Sequence, residues 1–250
     1  MSDRRLAGRV VIVTGASRGP GRRCALALGR AGAVVALVAR GMGPMPGGSL
    51  QETAERIEAA GGQALPLACD LTDPDSLEDA VRTVRDRHGR IDALVAQALV
   101  QAPGGVSGIQ PRHWRRMVEV NLQGAFACCR AVIPTMLGQG SGAIVAVSVG
   151  GDASPVVRAT QRAVEELTVG LAREQAANGI ACNVLVASPE LFTTDAGGAA
   201  PEPDPYGEAA VRLALSTPKT CTGQVLDHAA VLARLGPVPA EPGAQLRPAP

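Results

Sequence analysis

The sequence predicts a doubly wound α/β domain, in which helices cover both faces of a parallel β-sheet. Two observations predict this fold. Short runs rich in β-branched residues alternate with longer amphipathic stretches along most of the 250 residues, as in successive βαβ units. The short runs are also apolar throughout, which is typical of strands that are buried on both faces. A single domain is expected, because domains commonly have about 100–200 residues.

Six apolar runs are predicted as strands: Val10–Thr14, Val34–Ala39, Ala64–Cys69, Ala93–Ala96, Ala143–Ser148 and Ile180–Val186. Five amphipathic stretches are predicted as helices: Pro20–Arg30, Leu50–Ala60, Asp75–His88, Pro111–Leu137 and Pro155–Asn178. Proline suits a first helical turn, which supports the starts at Pro20, Pro111 and Pro155. Glycine often caps a helix in the left-handed conformation, which supports the ends near Gly89 and Gly179.

Two Gly/Pro-rich segments, residues 41–48 and 197–205, are predicted as loops. Residues 1–236 are expected to form the domain, and the Pro/Ala-rich residues 237–250 are expected to be a disordered tail.

Composition excludes several classes of protein. The 24 basic and 23 acidic side chains leave a net charge of +1, which argues against nucleic acid as a main partner. The longest apolar stretches fall short of the ~20 residues that span a bilayer, and the N-terminus lacks a signal-peptide pattern. The six cysteines form no C-x-x-C pair and have no histidine at zinc spacing, so no metal site is predicted. A cytoplasmic location with reduced, buried thiols is expected.

The strongest motif is TGASRGPG, Thr14 to Gly21, which follows the first strand and opens the first helix. Gly15 allows a tight turn, while Gly19 and Gly21 allow the backbone to approach a pyrophosphate and the helix to pack on the sheet. The N-terminus of the helix attracts the anion with its N–H groups and its dipole. Ser17 lies inside this predicted phosphate loop. The alternative is a tight turn without a ligand.

Further along, the chain resembles the short-chain dehydrogenase/reductase family, whose members have a Rossmann-type fold and bind nicotinamide cofactors. Beyond the phosphate loop, the resemblance rests on CDLTD (69–73), VNLQGAF (120–126), GAIVAVS (142–148), RAVEELTVGLA (162–172) and TGQVL (222–226). It implies that Asp70 and the adjacent Leu71 contact the adenine. It also implies that Asn121 has the position of the active-site asparagine and that TGQVL is the last strand.

Charge favours NADP(H) over NAD(H) as the cofactor. An acidic residue at the end of the second strand would bind a ribose 2′-hydroxyl, whereas arginine there accommodates a 2′-phosphate. This chain has Arg40 at that point and Arg18 in the loop, and a guanidinium pairs well with phosphate. The alternative is that both are solvated surface arginines. Leu99 replaces the last glycine of the family's N-N-A-G segment, so the nicotinamide half is expected to bind weakly.

The family's catalytic groups are largely missing. Members use a tyrosine, a lysine four residues later, a serine and an asparagine, because the lysine lowers the pKa of the tyrosine. By resemblance, Val157 has the tyrosine position and Gln161 the lysine position. The chain has one tyrosine, Tyr206, and one lysine, Lys219, thirteen residues apart, so no alignment restores the pair.

The remaining candidates for catalysis are few. The serine position corresponds to Val149, and Ser148 beside it is a tentative substitute. Asn121 is the second tentative catalytic residue, although it could equally hold a kink in its helix. Other candidate acids or bases are Asp152, Asp195, His113 and His228. Arg158 and Arg162 are expected to face away, about 100° round the helix from the lost positions.

Three functions remain open from the sequence. The first is a family member that binds NADP(H) without the redox residues, either a non-redox enzyme (isomerase, cyclase or lyase) acting on a small molecule or a pseudoenzyme. The second is an NADPH-dependent oxidoreductase of carbonyl or alcohol substrates with a different acid–base group. The third is an NADP(H)-sensing regulatory or scaffolding module. The resemblance also implies a homodimer or homotetramer formed through the two long helices.

Overall fold

Seven strands form the sheet of the computed structural model, which describes residues 4–43, 48–193 and 204–236. They are β1 Val10–Thr14, β2 Val34–Ala39, β3 Gln63–Ala68, β4 Ala93–Ala96, β5 Gly142–Val149, β6 Ile180–Ala187 and β7 Val225–Asp227. All pairs are parallel, in the order β3-β2-β1-β4-β5-β6-β7. This confirms the predicted fold class. The predicted tail lies outside the described residues, as do residues 44–47 of the first predicted loop and 197–203 of the second.

Nine helices are found in the described ranges. They are α1 Gly19–Arg30, α2 Leu50–Ala59, α3 Pro74–His88, α4 Pro111–Met117, α5 Gly124–Gln139, α6 Pro155–Gln175, α7 Glu190–Thr193, α8 Pro205–Ala214 and α9 His228–Leu235. None of these helices is long and apolar enough to cross a membrane.

Both faces of the sheet are covered by helices. On one face, alternate strand residues such as Val13 and Leu37 pack with α1, α2, α8 and α9. On the other, residues such as Ile12 and Ile144 pack with α3, α5 and the end of α6. The strands therefore have two buried faces, which explains why their sequences are apolar throughout.

One predicted helix is divided. The prediction of a single α-helix over Pro111–Leu137 was wrong, because a π-helical segment, Val118–Gln123, separates α4 from α5. Asn121 lies in this segment, and its side chain bonds to the backbone of Val100 outside the helix. Such a wide turn depends on a tertiary contact that helical periodicity does not reveal.

Helices α8 and α9 were not predicted. A capping signal marks the start of α8: Asp204 accepts a hydrogen bond from the N–H of Tyr206 at 3.1 Å, and Pro205 is the first helical residue. The start of α9 has a similar cap, in which Asp227 accepts a hydrogen bond from the N–H of Ala230 at 2.8 Å. Both caps are visible in the sequence as an aspartate before a short apolar helix.

The sheet order places a functional cleft. After β1 the chain turns towards β2 and β3, whereas β4 lies on the opposite side of β1. Ligands commonly bind outside the carboxyl ends of the strands at such a switch point. The ends of β1 and β4 are joined there: the Thr14 hydroxyl donates to the carbonyl of Gln97 and accepts from its N–H, both at 2.9 Å.

Candidate functional site

An open cleft of about 360 Å³ lies over the carboxyl ends of β1, β2 and β4. Its lining includes seven of the eight residues predicted to bind the cofactor: Gly15, Ser17, Arg18, Gly19, Arg40, Asp70 and Leu71. The eighth, Gly21, lies in the first turn of α1. The structure therefore brings the predicted binding residues together at the switch point.

The glycines of the phosphate loop allow close packing beneath it. Gly15 has a φ of +62°, and a Cβ there would overlap the side chain of Gln97. A Cβ on Gly21 would lie 2.5 Å from the carbonyl oxygen of Gly15 and 2.7 Å from Oε1 of Gln97. Gln97 was not singled out in the sequence, although it directly follows a strand that ends at the switch point. Its side chain lies under the loop, so neither glycine can be replaced without displacement.

The N-terminus of α1 offers fewer N–H groups than most helices do. Pro20 is its second residue and has no N–H. The N–H of Arg22 already donates to the carbonyl of Arg18 at 3.2 Å. Gly19 and Gly21 therefore carry the N–H groups that a phosphate could reach at this end.

Two arginines and one aspartate set the charge of the cleft. Arg18 and Arg40 are exposed at its rim. Asp70 accepts hydrogen bonds from the N–H of Thr72 at 3.0 Å and from its hydroxyl at 2.8 Å, and Arg116 lies 3.6 Å away. The bond from the Thr72 N–H, aided by Arg116 and Arg40, lowers the pKa of Asp70. The aspartate is therefore ionised at neutral pH and acts as an acceptor.

Two valines hold the positions to which the resemblance assigns the family's serine and tyrosine. Val149 and Val157 are buried and form an apolar cluster with Met117 and Val156. Leu99 and Phe192 pack against this cluster and also line the cleft. We call Met117, Val149, Val156 and Val157 the valine cluster.

Asn121, a tentative catalytic residue, binds protein groups with both atoms of its amide. Oδ1 accepts from the N–H of Val100 at 2.8 Å, and Nδ2 donates to the carbonyl of Val100 at 3.0 Å and to the hydroxyl of Thr160 at 3.2 Å. These bonds hold the segment after β4 against the π-helical turn. The geometry supports the structural alternative for this residue.

Ser148, the other tentative catalytic residue, is fully buried. Its hydroxyl has no hydrogen-bond partner among the described residues. Neither Ser148 nor Asn121 lines the cleft.

Gln161, to which the resemblance assigns the lysine position, does not line the cleft. Its Oε1 accepts from the N–H of Val149 at 3.2 Å. It lines a separate pocket of about 120 Å³ together with Arg158, Arg162 and Glu165, and Arg162 pairs with Glu165. Both arginines share this pocket with Gln161 and do not line the cleft, so the prediction that they face away from the lost positions was wrong for the lysine position.

Of the other candidate acids and bases, the three in the described part of the chain do not line the cleft. Asp152 is exposed in the turn after β5, and His228 is exposed at the start of α9. His113 is half-buried in α4, 3.4 Å from Arg112. Asp195 lies outside the described residues.

The switch-point cleft and the sheet order define a Rossmann-type α/β protein. The family model described as short chain dehydrogenase matches residues 9–203, and the chain belongs to the short-chain dehydrogenase/reductase family. It is 30% identical over 192 residues to an uncharacterized oxidoreductase of Listeria monocytogenes, covering 75% of each chain. It is 31% identical over 189 residues to 3-oxoacyl-[acyl-carrier-protein] reductase of Staphylococcus aureus, covering 74% of each.

Among solved structures, a metagenomic short-chain oxidoreductase in complex with NADP is similar throughout. The TM-score is 0.76 with 30% identity, and the match covers 89% of this chain and 97% of that one. Both the fold and the family predicted from the sequence are therefore confirmed.

Proposed function

We propose that the protein binds NADP(H), or a related adenine nucleotide with a 2′-phosphate, and does not use the tyrosine–lysine chemistry of its family. One observation carries the proposal: residues of the predicted phosphate loop and two arginines line one cleft, while Val149, Val157 and Gln161, the catalytic positions that the resemblance implies, do not line it. The bound nucleotide serves either a non-redox reaction, of the isomerase, cyclase or lyase type, or a binding role alone.

The preference for a 2′-phosphate rests on charge. Arg40 follows β2 directly, Arg18 lies in the loop after β1, and both residues line the cleft in which a ribose over β2 is expected. Arginine forms paired hydrogen bonds with phosphate. The similar structure in complex with NADP supports the same class of cofactor for this chain.

The proposal that the family's acid–base chemistry is absent depends on the location of the tyrosine. Tyr206, the single tyrosine, lies in α8, packed against α1, and is 2% exposed. Burial raises its pKa well above the ordinary value, which disfavours loss of its proton. It does not line the cleft.

A second candidate is an NADPH-dependent oxidoreductase with a different acid. The names of the relatives, an oxidoreductase and a 3-oxoacyl-[acyl-carrier-protein] reductase, favour it. Within the described residues, Asp152 is the carboxylate nearest in sequence to the lost serine. If it served as the acid, Asp152→Asn would abolish turnover, whereas the matched change Asp86→Asn on exposed α3 would not.

Turnover separates the two candidates. Purified protein is mixed with NADPH and a panel of aldehydes and ketones, and nucleotide fluorescence is followed. We expect a fluorescence change on binding and no oxidation of the nucleotide. Oxidation that requires a carbonyl substrate would contradict the first proposal and support the second.

We also propose a homo-oligomer formed through α5 and α6. Phe126 and Leu137 on α5 are 51% and 44% exposed, so this helix presents apolar surface that a second copy would cover. Light scattering after size exclusion should give at least a dimer. Phe126→Asp should reduce its mass, whereas Val106→Asp, at another exposed apolar site, should not.

We further propose that the protein is located in the cytoplasm. All six cysteines are free and buried, as is usual for proteins of reducing compartments. Fractionation of cells that express the full chain tests it, with the soluble cytoplasmic fraction as the expected location.

A further inference from the structure

We infer that the cleft recognises the 2′-phosphorylated adenosine diphosphate half of its ligand and that a nicotinamide adds no affinity. A nucleotide without nicotinamide, such as 2′-phospho-ADP-ribose, would then be a full ligand. This inference rests on the proposed function, because it concerns the same cleft.

The sheet order fixes which half of a dinucleotide lies where. A pyrophosphate held at the N-terminus of α1 lies above β1, and adenosine then lies over β2 and β3, beside Arg40 and Asp70. The other half must extend in the opposite direction, over β4 and β5. The residues that follow β4 and β5 therefore decide whether a nicotinamide gains contacts.

Over β4 the lining of the cleft is mostly apolar, with Gln97 and Gln101 as its polar side chains. Leu99 and Phe192 form the wall between the cleft and the valine cluster. Behind this wall Val149 is 5% and Val157 is 2% exposed, so the cluster is closed to solvent. A nicotinamide half would meet aliphatic and aromatic carbon where its family relatives have polar side chains.

The polar side chains nearby are engaged elsewhere. Asn121 uses its amide on Val100 and Thr160, and Gln161 accepts from Val149. Ser148 is 0% exposed. Within the part of the chain that the structure describes, a carboxamide placed against Leu99 and Phe192 would lose water against hydrocarbon, which costs affinity.

Calorimetric titration with NADPH, 2′-phospho-ADP-ribose and ADP-ribose tests the inference. We expect the first two to bind with dissociation constants within about threefold of each other, and ADP-ribose to bind at least about tenfold more weakly. NADPH binding more than about threefold tighter than 2′-phospho-ADP-ribose would overturn the inference while leaving the proposed function intact. If none of the three binds, the proposed function itself is wrong, and the inference with it.

A variant provides a second measure. Leu99→Gly removes part of the apolar wall, so NADPH should gain at least about threefold in affinity while 2′-phospho-ADP-ribose is unchanged. Equal effects on both nucleotides would contradict the assignment of Leu99 to the nicotinamide end. If the variant does not fold, which a melting curve shows, the ratio measured on the wild-type protein still decides.

Discussion

The side chain of Gln161 accepts a hydrogen bond from the backbone N–H of Val149 at 3.2 Å. The resemblance to the family assigns its lysine position to Gln161 and its serine position to Val149, and in this chain the two residues bind each other. The bond joins α6 to the end of β5. Val157, one turn earlier in α6, is buried as well, so all three side chains belong to the interior of the protein.

Restoring the missing tyrosine should destabilise the protein. Val157 is 2% exposed within the valine cluster, so Val157→Tyr forces extra volume into a packed site and should cost about 1–3 kcal/mol. Urea unfolding measures the loss. Val106→Tyr, at a residue that is 75% exposed, should stay within about 0.5 kcal/mol of wild type. A Val157→Tyr protein as stable as wild type would mean that space for a phenol remains.

Pro20→Ala should strengthen nucleotide binding. The change adds an N–H at the second residue of α1, where phosphate is expected, and a hydrogen bond to a charged group contributes about 1.5–3 kcal/mol. Titration with NADPH should therefore give at least about tenfold tighter binding. Pro111→Ala, at the exposed first residue of α4, is the control and should have no effect. Unchanged or weaker binding in Pro20→Ala would show that phosphate does not contact this turn.

Gly21→Ala should damage the phosphate loop. The added methyl would lie 2.5 Å from the carbonyl oxygen of Gly15, and backbone cannot move as easily as a side chain. We expect a loss of about 1–3 kcal/mol in the free energy of unfolding, measured in urea. Gly138→Ala, in α5 with nothing within 4 Å of the new carbon, should instead stabilise by up to about 1 kcal/mol. Equal behaviour of the two variants would contradict the close approach of Gly21 to Gly15.

Asp92 should make stability depend on pH in the acid range. Its carboxylate accepts from Arg90 at 2.6 and 2.8 Å, from Arg9 at 2.9 Å and from the N–H of Val10 at 2.8 Å. Burial alone would raise the pKa of Asp92, but these bonds outweigh burial and lower it.

Because the folded-state pKa of Asp92 lies below the unfolded value of about 3.9, its contribution is complete above that pH. It is lost as the pH falls through the lower, folded pKa. Urea unfolding at a series of pH values should show a steeper loss below about pH 4 for wild type than for Asp92→Asn. Asp86→Asn, whose side chain is 61% exposed, should follow wild type. If the stability of Asp92→Asn falls with pH as steeply as that of wild type, other carboxylates cause the loss of stability in acid.

Local signals were enough to predict most of the fold. The apolar runs predicted β1, β2 and β4 with the bounds that the structure shows, because strands that are buried on both faces have continuous apolar sequences. Helix α8 was missed because its start at Pro205 adjoins a Gly/Pro-rich segment that favoured a loop. The π-helical turn was missed because it depends on the distant partner of Asn121.

For the candidate site too, the residues of a local motif could be predicted, whereas those that depend on tertiary packing could not. Gly15, Arg18 and Arg40 lie in or beside a local motif, and the structure places them in one cleft. Gln97 and Phe192 were missed, because their approach to the cleft depends on how separate segments pack. The direction of the Gln161 amide could not be foreseen either, since its partner is a backbone N–H on another element.

The most direct test of the account is calorimetric titration of the protein with NADPH, NADP, NADH and NAD, repeated on Arg40→Ala. Arg87→Ala, an exposed arginine on α3 away from the cleft, is the control. We expect NADPH and NADP to bind with micromolar dissociation constants. Their affinity should fall at least about tenfold in Arg40→Ala and should not change in Arg87→Ala. Equal binding of all four nucleotides, or binding that survives in Arg40→Ala, would contradict the account.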